Sequence, residues 1–152
     1  MGIAFTRIDN RLIHGQVAQG WLPGMAIDEV IVISKDAASS SLMQRMMRMA
    51  LPQSLGLKIF DPSGAAQYLK NPPPARGFLL IENFEDLKFL VDSGVKFDTV
   101  NIGNTKYEQG KKEFGTGVFL SEHDLMLARV LADGGIKFDV RALPSSLSKR
   151  LV

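Results

Sequence analysis

The segment RIDNRLIHGQVAQGW (residues 7–21) places His14 between a turn that contains two arginines and the expected first turn of a helix. An imidazole can act as a nucleophile that carries a covalent intermediate. Arg7 and Arg11 precede it, and guanidinium groups match phosphoryl oxygens well. Asp9 could pair with one arginine and hold the turn in shape. These residue types suit phosphoryl transfer, which requires position and charge and does not require a metal.

The residues after His14 are those of an expected helix start. The backbone amides of Gly15, Gln16 and Val17 would lack intrahelical acceptors there, and the helix dipole favours a negative charge beside them. Gly15 would also let a bulky anion come close to the backbone. These general arguments leave open the alternative that His14 is an ordinary polar residue at a helix start and that the two arginines are plain surface charges.

Other chemistries find less support in the sequence. His123, the second of two histidines, falls at the second position of a predicted helix and is assigned no role. A hydrolase with His14 as general base lacks a nucleophile at a suitable spacing. The sequence has no glycine-rich phosphate loop or dinucleotide-binding motif, and its histidines and carboxylates form no metal-ligand pattern. We therefore predict no metal and no cofactor.

Short apolar runs alternate with helical patterns along the chain, which predicts an α/β fold with a mainly parallel sheet. Ligands of such sheets gather at the carboxyl ends of the strands, and His14 follows the first of them. The predicted strands are residues 3–8, 29–34, 57–60, 78–81, 99–103 and 118–120, and a last strand that begins at residue 137.

Helix boundaries are indicated by capping residues. Asp61 followed by Pro62 predicts a helix start, and Ser121 with Asp124 predicts a capping box for the helix that follows. Gly94 is predicted to end the helix formed by FEDLKFLVDS. The sequence thus provides stop and start signals between most of its predicted strands.

Three further segments carry structural predictions. Apolar residues recur at helical spacing after three serines, and the methionines among them are interpreted as core residues: Leu42, Met43, Met46, Met47 and Ala50. The stretch NTKYEQGKKEFGTG (104–117) is predicted to be a long irregular loop, a kind of segment that is often functional. The prolines at 72–74 are expected to end a helix.

Composition narrows the range of functions. A length of 152 residues predicts one domain, 1–152. The net charge of +2 and the absence of a dense basic run give no indication of nucleic-acid binding. The chain has no cysteine, which excludes disulfides and suits a reducing cytosol. Apolar runs such as VIVI are far below the ~20 residues that span a bilayer, and the start MGIAFTRID lacks the features of a signal peptide.

The motif RIDNRLIHGQVAQGW resembles the active-site motif of the IIB subunits of the mannose/fructose/sorbose family of the bacterial sugar phosphotransferase system. The resemblance covers essentially the whole chain, because it continues through VIVISKDAA, DLKFLVDSGVKFDTVNIGN, QGKKEFGTGVFLSEHDL and GIKFDVRALPS. It implies an open, mainly parallel sheet of seven strands with helices on both faces.

The resemblance also implies a mechanism. The family carries a phosphoryl group on Nδ1 of the histidine that corresponds to His14, receives it from a IIA subunit and passes it to a sugar held by a membrane IIC/IID complex. Arg11 matches the family's arginine before that histidine, which implies phosphate stabilisation, and Arg141 matches an arginine of the last strand with the same expected task. Arg7, Asp9, Gly15 and Gln16 are then candidates for binding the phosphate or the partner. No cofactor is implied.

Two positions depart from the common family pattern. Asn10 stands where many members have a second aspartate. Asn104 stands where mannose-type members often have a glycine and N-acetylgalactosamine-type members have an asparagine. The resemblance implies a cytoplasmic protein bound to the inner membrane face through the permease. The sequence predicts no fused IIA domain before Met1. An alternative function is a regulatory phosphocarrier, in which phosphorylation of His14 is a signal and transport is not involved.

Overall fold

The computed structural model describes residues 2–72 and 74–152. Its main element is a seven-stranded sheet, as the family resemblance implied. The strands of this sheet are β1 (Gly2–Asp9), β2 (Glu29–Ile33), β3 (Gly56–Phe60), β4 (Arg76–Ile81), β5 (Thr99–Asn104), β8 (Lys137–Val140) and β9 (Lys149–Arg150). Their order is β3-β2-β4-β1-β5-β8-β9. All neighbours pair in parallel except β8 and β9, which are antiparallel.

Helices cover both faces of the sheet, which confirms the expectation of an open sheet with helices on both faces. One face carries α1 (Lys35–Ala38), α2 (Ser41–Ala50) and the short helix after His14; the other carries α3 (Pro62–Lys70), α4 (Phe84–Asp92) and α5 (Glu122–Asp133). Strand β2 is buried throughout, and its residues alternate between the two cores. A strand buried on both faces explains the continuous apolar run EVIVI.

The predicted helix caps are confirmed. The Asp61 carboxylate accepts a hydrogen bond from the Gly64 amide at 2.8 Å, and α3 begins at the following proline. Ser121 and Asp124 form a reciprocal capping box, with both hydrogen bonds at 3.0 Å. Gly94, just past the end of α4, has a φ of +100°, a conformation that a side chain would disfavour. Of the three prolines expected to end α3, Pro73 lies outside the described residues.

The strand assignment near the end of the chain was wrong in two respects. Residues 118–120 form β7 (Val118–Leu120), but this strand pairs with β6 (Lys112–Gly115) in a separate antiparallel hairpin. The segment 104–117 is therefore only partly irregular. The seventh strand of the main sheet is instead β9, which follows the last predicted strand. Two residues are too few for a periodic signal.

The interpretation of the α2 methionines as core residues is confirmed for Met43 and Met47 and was wrong for Met46. Met47 is buried and Met43 is packed partly against the core, but Leu42 and Met46 are each 61% exposed and Ala50 is exposed. Helical spacing alone could not separate these residues, because apolar side chains on α2 extend beyond the stripe that contacts the sheet.

An acidic side chain is buried at the start of α4. The backbone amide of Asp86 donates to the Asn83 side chain, which caps the helix. Burial raises the pKa of the Asp86 carboxyl to about 6, and the negative charges of Glu82 and Glu85 add to this effect while Lys35 opposes it. The native state therefore binds this proton more tightly than the unfolded chain does, so ionisation of Asp86 costs stability.

The Asp86→Asn variant tests this cost. Because the carboxyl pKa is raised in the native state, the stability of the parent should fall as the pH rises from about 4 towards 6, where the unfolded and native carboxyls ionise in turn. Asp86→Asn should lose part of this pH dependence and be more stable at neutral pH by about 1–2 kcal/mol. Urea denaturation across this pH range measures it. The matched control, Asp133→Asn at the exposed end of α5, should keep the parental slope; an unchanged slope in Asp86→Asn would refute the prediction.

Candidate functional site

His14 lies in the loop that follows β1, at the carboxyl edge of the sheet. The two residues before it, Leu12 and Ile13, are buried in the core beneath the loop. Leu12 has a φ of 59°, which is uncommon for a bulky residue, and its amide donates to the Asp9 carbonyl at 3.1 Å. A tight turn anchored by buried side chains therefore places His14 at the surface, where its side chain is 17% exposed.

The helix after this loop is shorter and wider than a regular α-helix. Residues Gln16–Trp21 form a π-helix, and a 3₁₀ turn follows over Leu22–Gly24. Val17 and Trp21 are buried. The residue before the helix, Gly15, is exposed, and nothing lies within 4 Å of the position that a Cβ would take. The backbone there is accessible from solvent.

Asp9 is the centre of the hydrogen bonds around His14. Its Oδ2 atom lies 2.8 Å from His14 Nε2 and accepts from Arg7 Nε at 3.0 Å and from Asn104 Nδ2 at 3.1 Å. Its Oδ1 atom accepts from the Arg11 backbone amide at 2.9 Å. The expectation that Asp9 pairs with one of the two arginines is confirmed for Arg7. The carboxylate is fully buried, so water does not weaken these contacts.

The charge state of Asp9 follows from this environment. Burial by itself would raise the pKa of the carboxyl, but the hydrogen bond from His14, the charges of Arg7 and His14 and the Arg11 amide together outweigh burial and hold the pKa below its ordinary value. Asp9 is therefore a carboxylate at neutral pH and acts only as an acceptor.

The tautomer of His14 is determined by this acceptor. A carboxylate can only accept, so the proton of the neutral imidazole must lie on Nε2, where it is donated to Asp9. The other ring nitrogen, Nδ1, then has a free lone pair. The geometry thus leaves Nδ1 as the ring atom with an unshared electron pair.

Arg7 lies inside the protein, so the alternative that it is a plain surface charge was wrong. Besides Asp9, its guanidinium donates to Asn101 Oδ1 at 2.7 Å, to the Arg141 carbonyl at 3.1 Å and to Gln16 Oε1 at 2.9 Å. The side chain is fully buried. All three nitrogens of its guanidinium therefore donate to acceptors of the protein itself.

A glycine in β5 makes room for this buried arginine. A Cβ on Gly103 would lie 2.0 Å from the Arg7 guanidinium, far inside any permitted contact. Burial lowers the pKa of Arg7, and the charge and hydrogen bond of Asp9 oppose that effect. Arg7 and Asp9 therefore form a buried ion pair, and the absence of a side chain at Gly103 leaves the space that the Arg7 guanidinium occupies.

The other predicted site residues are arranged around this centre. Arg11 is exposed, and its guanidinium has no hydrogen-bond partner in the part of the chain that the structure describes. Arg141 donates to Asp139 at 2.7 Å and lies 5.6 Å from the Trp21 ring centroid. The Trp21 indole in turn donates to the Ala142 carbonyl at 2.8 Å. Arg141 therefore contacts the site through its backbone carbonyl, which accepts a hydrogen bond from Arg7. The Arg11 side chain, in contrast, has no hydrogen bond within the described residues.

Sequence reasoning missed two asparagines of β5. Asn101 and Asn104 are buried and bond to Arg7 and Asp9, respectively. Asn104 was noted only as a departure from the family pattern. The available signal was their place in TVNIGN, since polar residues near the end of a buried strand need partners.

Features elsewhere do not contribute to this centre. His123 is 56% exposed and lies 3.6 Å from Glu85, near the start of α5. Within residues 2–72 and 74–152, no group of histidine and carboxylate side chains has the arrangement of a metal site. Over the same residues, no helix combines the length and apolar character needed to cross a membrane.

Comparison with known proteins identifies close relatives. The family model described as PTS system sorbose subfamily IIB component matches residues 3–152. The chain is 31% identical to the PTS system fructose-specific EIIB component of Bacillus subtilis, over 100% of this chain and 94% of that protein. It is 33% identical to the mannose-specific EIIAB component of Escherichia coli, over 93% of this chain and 44% of that longer protein.

Solved structures support the same relationship. The crystal structure of the IIBSor domain of the sorbose permease from Klebsiella pneumoniae superposes with a TM-score of 0.90 at 30% identity, covering 98% of this chain and 93% of that one. The fold and the resemblance indicated by the RLIHGQ motif are both confirmed.

Replacement of Asp9 should test the buried ion pair. Asp9→Ala would leave the Arg7 guanidinium buried without its countercharge, and breaking such a pair typically lowers the free energy of unfolding by about 3–5 kcal/mol. Arg11→Ala, in the same turn but exposed, should change it by less than about 0.5 kcal/mol. Urea denaturation of both variants gives the comparison. Equal stabilities would mean that the pair is not essential to the fold.

Proposed function

Because the chain belongs to the sorbose subfamily of IIB components of the sugar phosphotransferase system, whose members are phosphotransferases, we propose that His14 carries a phosphoryl group from a phosphorylated IIA protein to a sugar. One observation carries the assignment: Asp9 accepts from Nε2 of His14 at 2.8 Å and so leaves Nδ1 free to attack phosphorus. No metal or cofactor enters the proposal.

The first step loads His14. Its Nδ1 lone pair forms a bond to phosphorus while the nitrogen–phosphorus bond of the donor phosphohistidine breaks, and that electron pair returns to the donor ring. His14 keeps its proton on Nε2, so the phosphorylated ring carries a positive charge. The Asp9 carboxylate lies against that proton and balances the charge.

The second step unloads it. A sugar hydroxyl oxygen attacks phosphorus, the bond to Nδ1 breaks, and its electron pair returns to the ring, which becomes neutral again. The hydroxyl proton is released to water or to a base on the acceptor side. Asp9 keeps the ring in one orientation throughout, so no rearrangement of the tautomer is needed between the two steps.

Charged and open groups at the surface would position the phosphoryl oxygens. The free guanidinium of Arg11 is three residues before His14 and offers a planar fork for two oxygens. Exposed Gly15 gives the phosphoryl group access to the backbone. Arg141 contributes positive charge from the neighbouring strand end, while Gln16 holds the loop through Arg7.

The partners follow from the relatives. A mannose-specific relative is an EIIAB component, and a similar structure is the IIB domain of a sorbose permease. We therefore propose that this protein docks in turn on a IIA donor and on a membrane IIC/IID permease, at the cytoplasmic face of the membrane. The names of the relatives specify fructose, mannose, sorbose or N-acetylgalactosamine, and we propose that the sugar of this chain is one of that class.

Phosphorylation of His14 is the direct test. Incubation with phosphoenolpyruvate, enzyme I, HPr and a matching IIA should add one phosphoryl group, which mass spectrometry should place on His14. The linkage should be labile in acid and stable in mild base, because a protonated imidazole is a good leaving group. His14→Ala should accept no phosphoryl group and still fold. His123→Ala, the matched control, should be labelled like the parent.

The outcome of this assay also decides between transport and regulation. Membrane vesicles that contain IIC and IID should release the label onto sugar. Label that reaches His14 but never reaches sugar would favour a regulatory phosphocarrier. Full labelling of His14→Ala would contradict the proposed mechanism.

Removal of the Arg11 side chain tests the role of the free guanidinium. Arg11→Ala should slow transfer in both directions by about tenfold or more, since a hydrogen bond from a charged donor is worth about 1.5–3 kcal/mol. Arg45→Ala, another exposed arginine but on α2, should transfer at the parental rate. Rapid-quench measurement of the label on His14 gives the rates. Parental rates for Arg11→Ala would exclude it from the mechanism.

A further inference from the structure

Asn104 closes a ring of hydrogen bonds around the histidine loop. Its Nδ2 atom donates to Asp9 Oδ2 at 3.1 Å and to Gln16 Oε1 at 3.0 Å. Arg7 donates to the same two oxygens, at 3.0 Å and 2.9 Å. Asp9 is the last residue of β1, before His14, and Gln16 begins the helix after it. Asn104 therefore links the residues that lie before and after the histidine loop.

The orientation of the Asn104 amide is determined by its surroundings. Its Nδ2 atom faces two oxygen acceptors, so a rotated amide would place oxygen against oxygen. On the other side, Gly117 has a φ of +79°, and a Cβ there would lie 2.9 Å from Asn104 Oδ1. The hairpin is tied to β5 by the Thr105 amide, which donates to the Gly117 carbonyl at 3.1 Å. Asn104 is therefore held as a donor towards Asp9.

Asp9 Oδ2 thus serves three donors, and one of them is His14. A carboxylate oxygen offers about two lone pairs, so the three donors compete for Oδ2, and the Asn104 amide thereby weakens the hydrogen bond between Asp9 and the His14 ring. This matters most when the ring is phosphorylated, because the positive charge of that ring is what the carboxylate stabilises.

We propose that Asn104 is a positioning residue that acts through Asp9 and limits the stabilisation of phosphorylated His14 by that carboxylate, so that the phosphoryl group can be transferred onward. The proposal rests on the proposed function of His14. Without the Asn104 donor, Asp9 should hold the phosphorylated ring more tightly. The equilibrium with the IIA donor should then shift towards the phosphorylated form of this protein, and onward transfer to sugar should slow.

The experiment compares Asn104→Ala and Asn104→Leu with the parent. Equilibrium distribution of the label between IIA and this protein, at a fixed neutral pH, should favour this protein about fivefold more in Asn104→Ala, the size expected for one hydrogen bond. Asn104→Leu keeps a side chain of similar size without a donor, and should shift the equilibrium as far. Asn83→Ala, which removes the cap of α4, is the control for lost stability and should leave the equilibrium unchanged.

A second measurement separates this proposal from the proposed function. In the unphosphorylated protein, the NMR signal of the His14 Nε2 proton should move downfield in Asn104→Ala, because its hydrogen bond to Asp9 strengthens. If the parent accepts no label on His14, the proposed function fails and the NMR shift still tests the effect of Asn104 on Asp9. A purely structural Asn104 would give variants of lower melting temperature with the parental equilibrium and proton shift, and this result would overturn the inference.

Discussion

The buried ion pair between Arg7 and Asp9 is the interaction on which the site depends. Removing two charges from water costs several kcal/mol per ion, and their attraction offsets this cost only when the remaining donors and acceptors also find partners. Here Arg7 donates to three further oxygens, and Asp9 accepts from the Arg11 amide, Asn104 and His14. These partners come from β1, the loop and helix after it, β5 and the end of β8, so the pair fixes the relative positions of all of them. An imidazole at the surface is thereby oriented by groups that water does not reach.

Much of the fold could be predicted because it depends on residues that are close together in the sequence. Strand β2 is an unbroken apolar run that is buried on both faces, and Asp61 and Ser121 are helix caps that work within their own helices. The prediction failed where structure depends on distant contacts. Strand β9 has two residues and exists because β8 offers a free edge. The hairpin of β6 and β7 forms a separate sheet, and the exposed methionines of α2 follow from how little of that helix the sheet covers.

The site divides in the same way. His14 was identifiable from its motif, and a partner for Asp9 could be anticipated two residues away. The burial of Arg7 could not be, since arginine is rarely buried, and its cavity depends on the absence of a side chain at Gly103 in another strand. The left-handed backbone of Leu12 was equally unpredictable, because a leucine adopts it only where surrounding contacts compel it. Contacts between residues far apart in sequence carry no local pattern.

The two arginines of the motif occupy opposite environments, and this suits the proposed carrier. Arg7 is sealed inside, so its charge acts on Asp9 at all times and is little screened by salt. Arg11 is free at the surface, where it can follow a phosphoryl group as that group moves between partners. A carrier must hold its cargo between two encounters and still release it at the second. Strong stabilisation by Asp9 alone would favour holding over release. The buried donors Arg7 and Asn104 share the Asp9 carboxylate with His14. In the proposed carrier, this network orients the His14 ring and also limits how strongly Asp9 stabilises the phosphorylated ring. One set of contacts would therefore both orient His14 and allow the phosphoryl group to be passed on.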